Sequence, residues 1–268
     1  MALPTELKCL APIAIDGLAR FGDRGDGGYV LPGFLMPTSN VIVSLGVSSN
    51  WSFEQAVINV NPTIKVHAYD HTVSEAVFRR KLRWTVLRFF VLKASLADVR
   101  QSLTIYRSYK RFFKTTPDVQ HFKERVFNRV DSPSDVTIDR MFARLDGKGD
   151  VVLKIDIEGT EYRVIDDVLK YEGQVSLMII EFHQTEPLRE VFLRKISRIR
   201  EYFDVVHLHG NNWAGVAADG LPESIEITFV SKRYSGYPYG GEYRKQLPLV
   251  GLDFPNNPGR ADYELLFS

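Results

Sequence analysis

Acidic residues and a histidine stand at the ends of two predicted strands. The stretch KIDIEGTE places Asp156 and Glu158 at the end of one strand, and IIEFH places Glu181 and His183 at the end of the next. Glu181 and His183 share a face, because alternate residues of a strand point to the same side. Converging carboxylates and an imidazole can take a proton from a hydroxyl group or bind a divalent cation. We therefore select Asp156, Glu181 and His183 as catalytic candidates, and we favour a general base over a site for Mg²⁺ or Mn²⁺.

The alternative for the other acidic residues of this stretch is structural. Glu158 and Glu161 can pair with Lys154 and Arg163 on the protein surface. That interpretation suits these two residues but not Asp156, which lies inside the motif, between the predicted strand and the helix that follows it.

A parallel sheet is needed to bring these strand ends together. The first half of the chain predicts a buried strand at 41–45, a turn at Gly46, a helix, and a second strand that ends in Asp70. In the second half, helices and strands alternate, and the strand at 223–231 follows without a helix and is predicted to pair antiparallel. Ligands of such sheets bind beyond the carboxyl ends of the strands. We predict an α/β fold that forms one domain over residues 1–268.

The first two strand ends fit a nucleoside. Gly46 lets the backbone approach a ligand closely, and Asp70 can accept hydrogen bonds from ribose hydroxyl groups. The stretch SLGVSSN carries Ser48 and Asn50 where a dinucleotide fingerprint has glycines, and no Walker motif is present. These departures disfavour a nucleoside triphosphate and a dinucleotide, and with the latter a Rossmann dehydrogenase. S-adenosylmethionine, which carries a nucleoside without phosphates, fits better.

The stretch HLHGNNW, at the end of a later strand, has the composition of a carbohydrate site. Its histidines and asparagines can form directed hydrogen bonds with hydroxyl groups, and its tryptophan offers a flat apolar face. A solvent-exposed loop with incidental histidines is the alternative. The predicted substrate-binding residues are Glu158, His207, His209, Asn211, Asn212 and Trp213.

Five motifs in register resemble the FkbM-type methyltransferase family, particularly a branch related to the animal methyltransferase-like proteins. They are DGGYVLP, SLGVSSNWSFE, HAYDHT, LKIDIEGTEYRVI and MIIEFH, and they cover roughly residues 22–183. The resemblance implies a Rossmann-like class I methyltransferase fold, with a mostly parallel seven-stranded sheet, an antiparallel last strand and helices on both faces. It also implies S-adenosylmethionine-dependent O-methylation of a carbohydrate hydroxyl, in a glycan, polysaccharide or nucleotide sugar, by in-line methyl transfer.

The same motifs imply where the cofactor binds. The DGGY loop would fold over the cofactor, residues after the first strand would flank its methionine end, and Asp70 would hold its ribose. A tight turn that opens a strand would explain the glycines of DGGY, but not Asp26 or Tyr29. The implied cofactor-binding residues are Asp26, Gly27, Gly28, Tyr29, Gly46, Ser48, Phe53, Glu54, Asp70 and His71.

A basic segment interrupts the motifs. Residues 79–114 contain eleven Lys or Arg and one acid, Asp98, although the whole chain has a formal net charge of only +1. Interleaved apolar residues predict an amphipathic helix within a helical insertion at about 75–120. We favour an inserted helix with a solvated basic face. The alternatives are a nucleic-acid methyltransferase or binding protein, and a peripheral membrane contact that involves Trp84.

Composition limits the remaining possibilities. Hydrophobic residues make up 44% and charged residues 25% of the chain, which is typical of a globular protein and argues against disorder. The single Cys9 cannot form an intrachain disulfide, and no apolar run reaches the length of a membrane span. We expect no signal peptide and a cytoplasmic location. Residues 232–268, rich in Tyr, Gly and Pro, are predicted to form an ordered extension.

Overall fold

The central element of the computed structural model, which describes residues 3–145, 149–234 and 239–267, is a seven-stranded sheet. Its strands are β1 (Val41–Leu45), β2 (Lys65–Tyr69), β3 (Val119–Phe122), β4 (Val151–Ile155), β5 (Val175–His183), β6 (Phe203–Gly210) and β7 (Ser224–Ser231). They lie in the order 3-2-1-4-5-7-6. Strand β7 runs antiparallel to β5 and β6, and the remaining neighbours pair in parallel.

The central strands form because their residues are buried on both faces of the sheet. Every residue of β1 (VIVSL) and of β4 (VVLKI) is buried. A parallel sheet that is covered on both faces gives such apolar runs rather than an alternating pattern. Val43 and Leu153 pack into the core on one face of the sheet, and Ile42 and Val152 pack into the core on the other.

Helices cover both faces. They are α1 (Ser52–Val60), α2 (Glu75–Phe90), α3 (Leu96–Thr115), α4 (Ile138–Phe142), α5 (Glu161–Val168) and α6 (Arg189–Ile199), with 3₁₀ turns at Thr5–Leu10, Gly33–Thr38, Leu169–Tyr171 and Lys232–Tyr234. Buried residues of α4, α5 and α6 belong to one core, and those of α1, α2 and α3 belong to the other. The expected α/β architecture, with its antiparallel last strand and helices on both faces, is confirmed.

Short paired strands lie outside the central sheet, and the first of them joins the N-terminal residues to the C-terminal extension. The pairs are Ile13–Ile15 with Tyr239–Tyr243, Leu18–Phe21 with Tyr29–Pro32, Arg125–Val126 with Asp135–Val136, and Gln246–Leu247 with Leu265–Leu266. The Leu3 N–H also donates to the Leu266 carbonyl at 2.8 Å. The C-terminal extension therefore folds back onto the domain, although its residues 235–238 and 268 lie outside the described part.

The basic segment forms the helical pair α2 and α3. Phe78, Tyr109, Phe112 and Phe113 of these helices surround the ring of Trp51, which immediately precedes α1. This aromatic cluster attaches one end of the pair to the sheet. In the ranges that the structure describes, no helix has both the length and the hydropathy that crossing a membrane demands.

Candidate active site

Two cavities lie at the carboxyl ends of the parallel strands and share Glu158 in their walls. The first has a volume of about 340 Å³ and lies between the ends of β1, β2 and β4. The second, of about 250 Å³, lies at the end of β5. Five further residues selected from the sequence line the first cavity, namely Gly46, Ser48, Asp70, His71 and Asp156.

The turn after β1 requires glycine because it touches the turn after β4. Gly46 has a φ of 78°, and a Cβ atom here would overlap the backbone carbonyl oxygen of Asp156. The Nζ atom of the buried Lys154 donates a hydrogen bond to the Gly46 carbonyl at 2.7 Å. Gly46 therefore holds the floor of the first cavity next to Asp156.

Asp70 fixes the same turn from β2. Its Oδ2 atom accepts hydrogen bonds from the backbone N–H groups of Val47 (3.1 Å) and Ser48 (2.8 Å). Its Oδ1 atom accepts from the N–H (2.8 Å) and the hydroxyl (2.6 Å) of Thr72. Burial alone would raise the pKa of Asp70, but these hydrogen bonds lower it below its ordinary value. The Asp70 carboxylate is therefore ionised. The Thr72 hydroxyl donates to its Oδ1 atom, which could accept a hydrogen bond from a ribose hydroxyl instead.

The DGGY loop packs on the turn after β1 and lies outside the walls of both cavities. The Nδ2 atom of Asn50 donates to the Asp26 carbonyl at 3.0 Å. A Cβ atom on Gly27 would overlap the Asn50 side chain, and one on Gly28 would overlap the carbonyl oxygen of Asp23. Packing against the turn after β1 therefore accounts for Gly27, and packing within the DGGY loop's own hairpin accounts for Gly28. The Asp26 side chain is exposed.

A buried carboxylate lies in the first turn of α1. Phe53 and Tyr29 are buried and pack edge to face, with ring centroids 5.4 Å apart. Glu54 is 1% exposed, and neither carboxylate oxygen has a hydrogen-bond partner within the described residues. Such a group is costly unless a cation or a donor reaches it. The ammonium group of S-adenosylmethionine is such a cation, and it would have to reach the first turn of α1, because Glu54 is not part of the first cavity's wall.

The imidazole of His183 is surrounded by carboxylates. Its Nδ1 atom lies 3.3 Å from Oε1 of Glu161, and its Nε2 atom lies 3.5 Å from Oε1 of Glu181, 3.6 Å from Oε2 of Glu158 and 4.0 Å from Oδ1 of Asp156. Burial alone would lower the pKa of His183. The hydrogen bond to Glu161 and the charges of Glu181 and Asp156 outweigh burial and raise that pKa. The structure thus brings the three catalytic candidates together.

The interpretation of Glu161 as a surface residue is wrong. Its side chain is fully buried, and its two oxygens accept hydrogen bonds from the backbone N–H groups of His183 and Gly159, both at 2.8 Å. Glu161 therefore joins the turn after β4 to the end of β5 and orients the His183 ring. Only the fold places residues 161 and 183 side by side, so the sequence alone gave no signal of this role. The neighbouring Glu158 is exposed, as the surface interpretation expected.

Glu181 is buried and already partnered. Its Oε1 atom accepts hydrogen bonds from Nδ2 of Asn211 at 2.8 Å and from the hydroxyl of Ser224 at 2.6 Å. Burial raises the pKa of Glu181, and the negative charges of Asp156 and Glu226 raise it further. Carboxyl groups with raised pKa values can exchange protons near neutral pH, which general acid–base chemistry requires.

Asp156 lies between two positive groups on the wall of the first cavity. Its Oδ2 atom is 3.8 Å from Nζ of Lys154, on the side away from His183. Burial raises the pKa of Asp156, and the charges of Lys154 and His183 oppose that rise. One ligand atom each of Asp156, Glu158 and His183 lie within 4.8 Å of one another, so these three residues could hold a divalent cation. The candidate metal ligands therefore include Glu158, whereas the sequence predicted Glu181 as the third ligand.

Three residues of HLHGNNW bind the C-terminal extension (residues 232–268) through their side chains, which corrects their assignment to substrate binding. Nε2 of His207 lies 3.0 Å from Oδ2 of Asp253, and Nε2 of His209 lies 3.0 Å from Oδ2 of Asp262. The amide of Asn212 donates to three backbone carbonyls of the extension. All three side chains are buried under it. Their partners follow 45 to 53 residues later in the chain, so a local motif could not reveal the pairing.

The other two predicted residues of HLHGNNW, Asn211 and Trp213, lie beside Glu181. Asn211 bonds Glu181 through its amide group, and its Oδ1 atom accepts the Trp213 backbone N–H at 3.0 Å. The Trp213 side chain is 59% exposed. The residue after Trp213, Ala214, is part of the wall of the second cavity. The residues that line this cavity are Glu158, His183, Gln184, Pro187, Ala214, Glu223 and Ser224.

The end of β3 completes the first cavity and was not selected from the sequence. Glu124, Arg125 and Val126 form that wall. Glu124 forms an ion pair with both terminal nitrogens of Arg144, and Arg125 pairs with Asp135. The stretch KERV that follows β3 carries the signal, because it places polar residues at a strand end like the stretches after β1 and β2.

Replacing His209 with glutamine should destabilise the protein at neutral pH and much less at high pH. Burial alone would lower the pKa of His209, but Asp262 and Glu226 raise it to about 10. Since this pKa is raised on folding, the stabilisation is complete below about pH 6.5 and is lost as the pH approaches about 10. Urea denaturation should show a difference of about 2 kcal/mol at neutral pH that shrinks as the pH rises. A difference that is independent of pH would contradict this role.

Comparison with known proteins agrees with this geometry. The sequence profile of the methyltransferase FkbM domain matches residues 45–211, which is more than half of the chain. The matched region begins at the end of β1, contains β2 to β6, and includes Asp70, Asp156, Glu158, Glu181 and His183. No curated protein sequence matches the chain significantly.

Solved structures of methyltransferases show distant similarity. Precorrin-6y C5,15-methyltransferase from Geobacter metallireducens GS-15 is 12% identical, with a TM-score of 0.36 over 73% of this chain and 82% of its own. The fibrillarin pre-rRNA processing protein of Methanococcus jannaschii is 9% identical, with a TM-score of 0.38 over 73% and 68%. Similarities at this level bear on neither the substrate nor the mechanism of this chain.

Proposed function

The chain belongs to the FkbM methyltransferase family, and from this premise we propose that it methylates an uncharged carbohydrate hydroxyl group with S-adenosylmethionine. The observation that carries the proposal is the position of His183 and its carboxylates at the boundary between two cavities, one for each reactant. When bound, S-adenosylmethionine supplies an electrophilic methyl group on a sulfonium centre. The chain's own residues must then align the acceptor with that methyl group and remove the acceptor's proton.

We assign the first cavity to the cofactor. Asp70 would accept hydrogen bonds from the cofactor's ribose hydroxyl groups in place of the one from the Thr72 hydroxyl. Glu54 would pair with the cofactor's ammonium group. Gly46 and Ser48 would form the wall against which the cofactor lies. The unpartnered Glu54 carboxylate and the residues of the cavity wall support these roles.

We assign proton removal to His183 together with Asp156. A carbohydrate hydroxyl is a poor nucleophile and must lose its proton as it attacks. Glu161 holds Nδ1 of His183, and Nε2 faces Asp156 and Glu158. Because the raised pKa of His183 keeps most of the rings protonated near neutral pH, Nε2 accepts the acceptor's proton in those molecules whose ring is neutral, a fraction that grows as the pH rises. The Asp156 carboxylate then stabilises the positive charge on the ring.

The second cavity suits a neutral acceptor that is rich in hydroxyl groups. Its walls carry the carboxylates of Glu158 and Glu223 and the amide of Gln184, all of which form hydrogen bonds with hydroxyl groups. The same carboxylates repel phosphate groups, which favours a carbohydrate over the nucleic-acid alternative. The exposed Trp213 ring provides a flat apolar surface for a sugar ring.

A methyl-transfer assay with labelled S-adenosylmethionine tests this proposal. We expect label in members of a panel of neutral mono- and oligosaccharides, and none in RNA or DNA oligonucleotides. Labelled nucleic acid together with an unlabelled carbohydrate panel would contradict it. Nucleotide sugars belong in the same panel, because they separate the effect of a phosphate from that of the sugar.

A divalent cation is the second candidate for activating the hydroxyl group. The close approach of Asp156, Glu158 and His183 favours it, since a cation held there would lower the pKa of a bound hydroxyl. With the residues acting as a base, we expect methyl transfer to stay within about twofold of its starting rate in the presence of EDTA. Activity that EDTA removes and Mg²⁺ or Mn²⁺ restores would assign the role to the cation instead.

A further inference from the structure

We propose that the tip of the α2–α3 pair binds an anionic lipid surface. The hairpin tip comprises residues 84–96, which are the end of α2, the connection, and the first residue of α3. This inference goes beyond the proposed function and does not depend on it, because none of its residues lines either cavity.

The hairpin tip concentrates exposed apolar side chains. Leu92 is 94% exposed and Phe90 is 75% exposed. Isolated exposed apolar residues are ordinary on a protein surface, but a contiguous group marks an interaction site. The exposed apolar residues of the tip are Trp84, Leu87, Phe90, Val91, Leu92 and Leu96.

The connection is built around a leucine in a costly conformation. Leu92 has a φ of 59°, in the left-handed region where glycine costs least. A requirement for the turn alone would favour glycine at this position. We therefore infer that the exposed leucine side chain in the connection takes part in an interaction with another surface.

Basic residues accompany these apolar side chains. All eleven Lys and Arg of residues 79–114 are exposed, and Arg83, Arg88 and Lys93 lie in or beside the hairpin tip. A membrane interface takes both kinds of group, since apolar side chains enter the acyl boundary while Lys and Arg contact anionic headgroups. A nucleic acid would pair with the basic residues but leave the aliphatic side chains in water. A second copy of this chain would place two strongly basic surfaces against each other.

The opposite end of the helical pair is fixed to the catalytic domain. The ring of Phe112 stacks on Trp51 with centroids 6.2 Å apart, and Trp51 follows the turn that forms the first cavity. Phe112 lies near the far end of α3, so at 1.5 Å per residue the helix separates the hairpin tip from this attachment by about 24 Å. Lipid binding by the tip would thus set the orientation of the catalytic domain over the membrane.

Vesicle co-sedimentation of the full chain tests the proposal. We expect binding to vesicles of phosphatidylcholine with phosphatidylserine, weaker binding to phosphatidylcholine alone, and weaker binding at high salt. The double variant Phe90→Ser/Leu92→Ser should lower the partition coefficient at least about tenfold. The matched control is Phe34→Ser/Val250→Ser, which removes exposed apolar side chains elsewhere and should bind like the wild type.

Fluorescence and solution state give independent readouts. In a Trp213→Phe protein, where Trp84 is the remaining exposed tryptophan, anionic vesicles should shift the emission to shorter wavelength. Failure to bind any vesicle, or binding that the tip variant does not weaken, would overturn the proposal. So would a dimer, or a complex with RNA or DNA, that the tip variant abolishes while vesicles remain unbound.

Discussion

Asp156→Asn should lower kcat about a thousandfold, because an amide can neither accept a proton nor stabilise a protonated His183 ring. The Asp156 carboxylate lies 4.0 Å from Nε2 of His183 and faces the first cavity, so it is placed to act on the acceptor as the methyl group is transferred. Affinity for S-adenosylmethionine should stay within about fivefold of the wild type, since the proposed cofactor contacts at Asp70 and Glu54 are untouched. Steady-state kinetics and calorimetry measure the two effects separately.

Glu158→Gln is the matched variant for this experiment. The Glu158 carboxylate lies 3.6 Å from Nε2 of His183, which is closer than the 4.0 Å of Asp156, but the Glu158 side chain is 87% exposed. If residues act as the base, kcat should fall by less than about tenfold. A fall as large as that of Asp156→Asn would favour the cation site, which needs both carboxylates. Near-normal turnover by Asp156→Asn would exclude Asp156 from either mechanism.

Glu54→Gln should change stability and cofactor affinity in opposite directions. Without cofactor, the variant should be more stable by about 1–3 kcal/mol, because a neutral amide replaces a buried carboxylate for which the described part of the chain offers no hydrogen-bond partner. Affinity for S-adenosylmethionine should fall by about ten- to a hundredfold, since the ammonium group loses its counter-charge. Urea denaturation of the cofactor-free protein and calorimetry test both signs.

The control for Glu54 is Glu190→Gln, which also removes a glutamate from the first turn of a helix but at an exposed position. It should leave both quantities nearly unchanged. A Glu54→Gln protein that is less stable than the wild type and binds the cofactor normally would show that Glu54 has a structural partner instead.

Much of the fold could be predicted because its signals are local. The apolar run at 41–45, the glycine that follows it and the acid that ends the next strand each reflect one strand or one turn. The antiparallel last strand could also be predicted, because the sequence predicts no helix directly before the strand at 223–231 and a parallel pairing needs a crossover connection. These features depend on neighbours in sequence, which a single chain displays.

The candidate site could be predicted only where strand ends supply it directly. Asp156, Glu181 and His183 end neighbouring parallel strands, so the topology alone brings them together. The roles of Glu161 and His209 depend on tertiary partners, which are 22 and 53 residues away in the chain. The same polar residue types would suit a ligand, and only the packed extension shows that His209 faces Asp262 instead.

The most direct test of this account is a crystal structure of the protein with S-adenosylhomocysteine. The account predicts that the ribose contacts Asp70, that the amino group pairs with Glu54, and that the sulfur atom faces Asp156 and His183 from the first cavity. A product molecule bound elsewhere, or an Asp156 carboxylate turned away from the sulfur, would contradict the central claim that these two cavities meet at the reacting atoms.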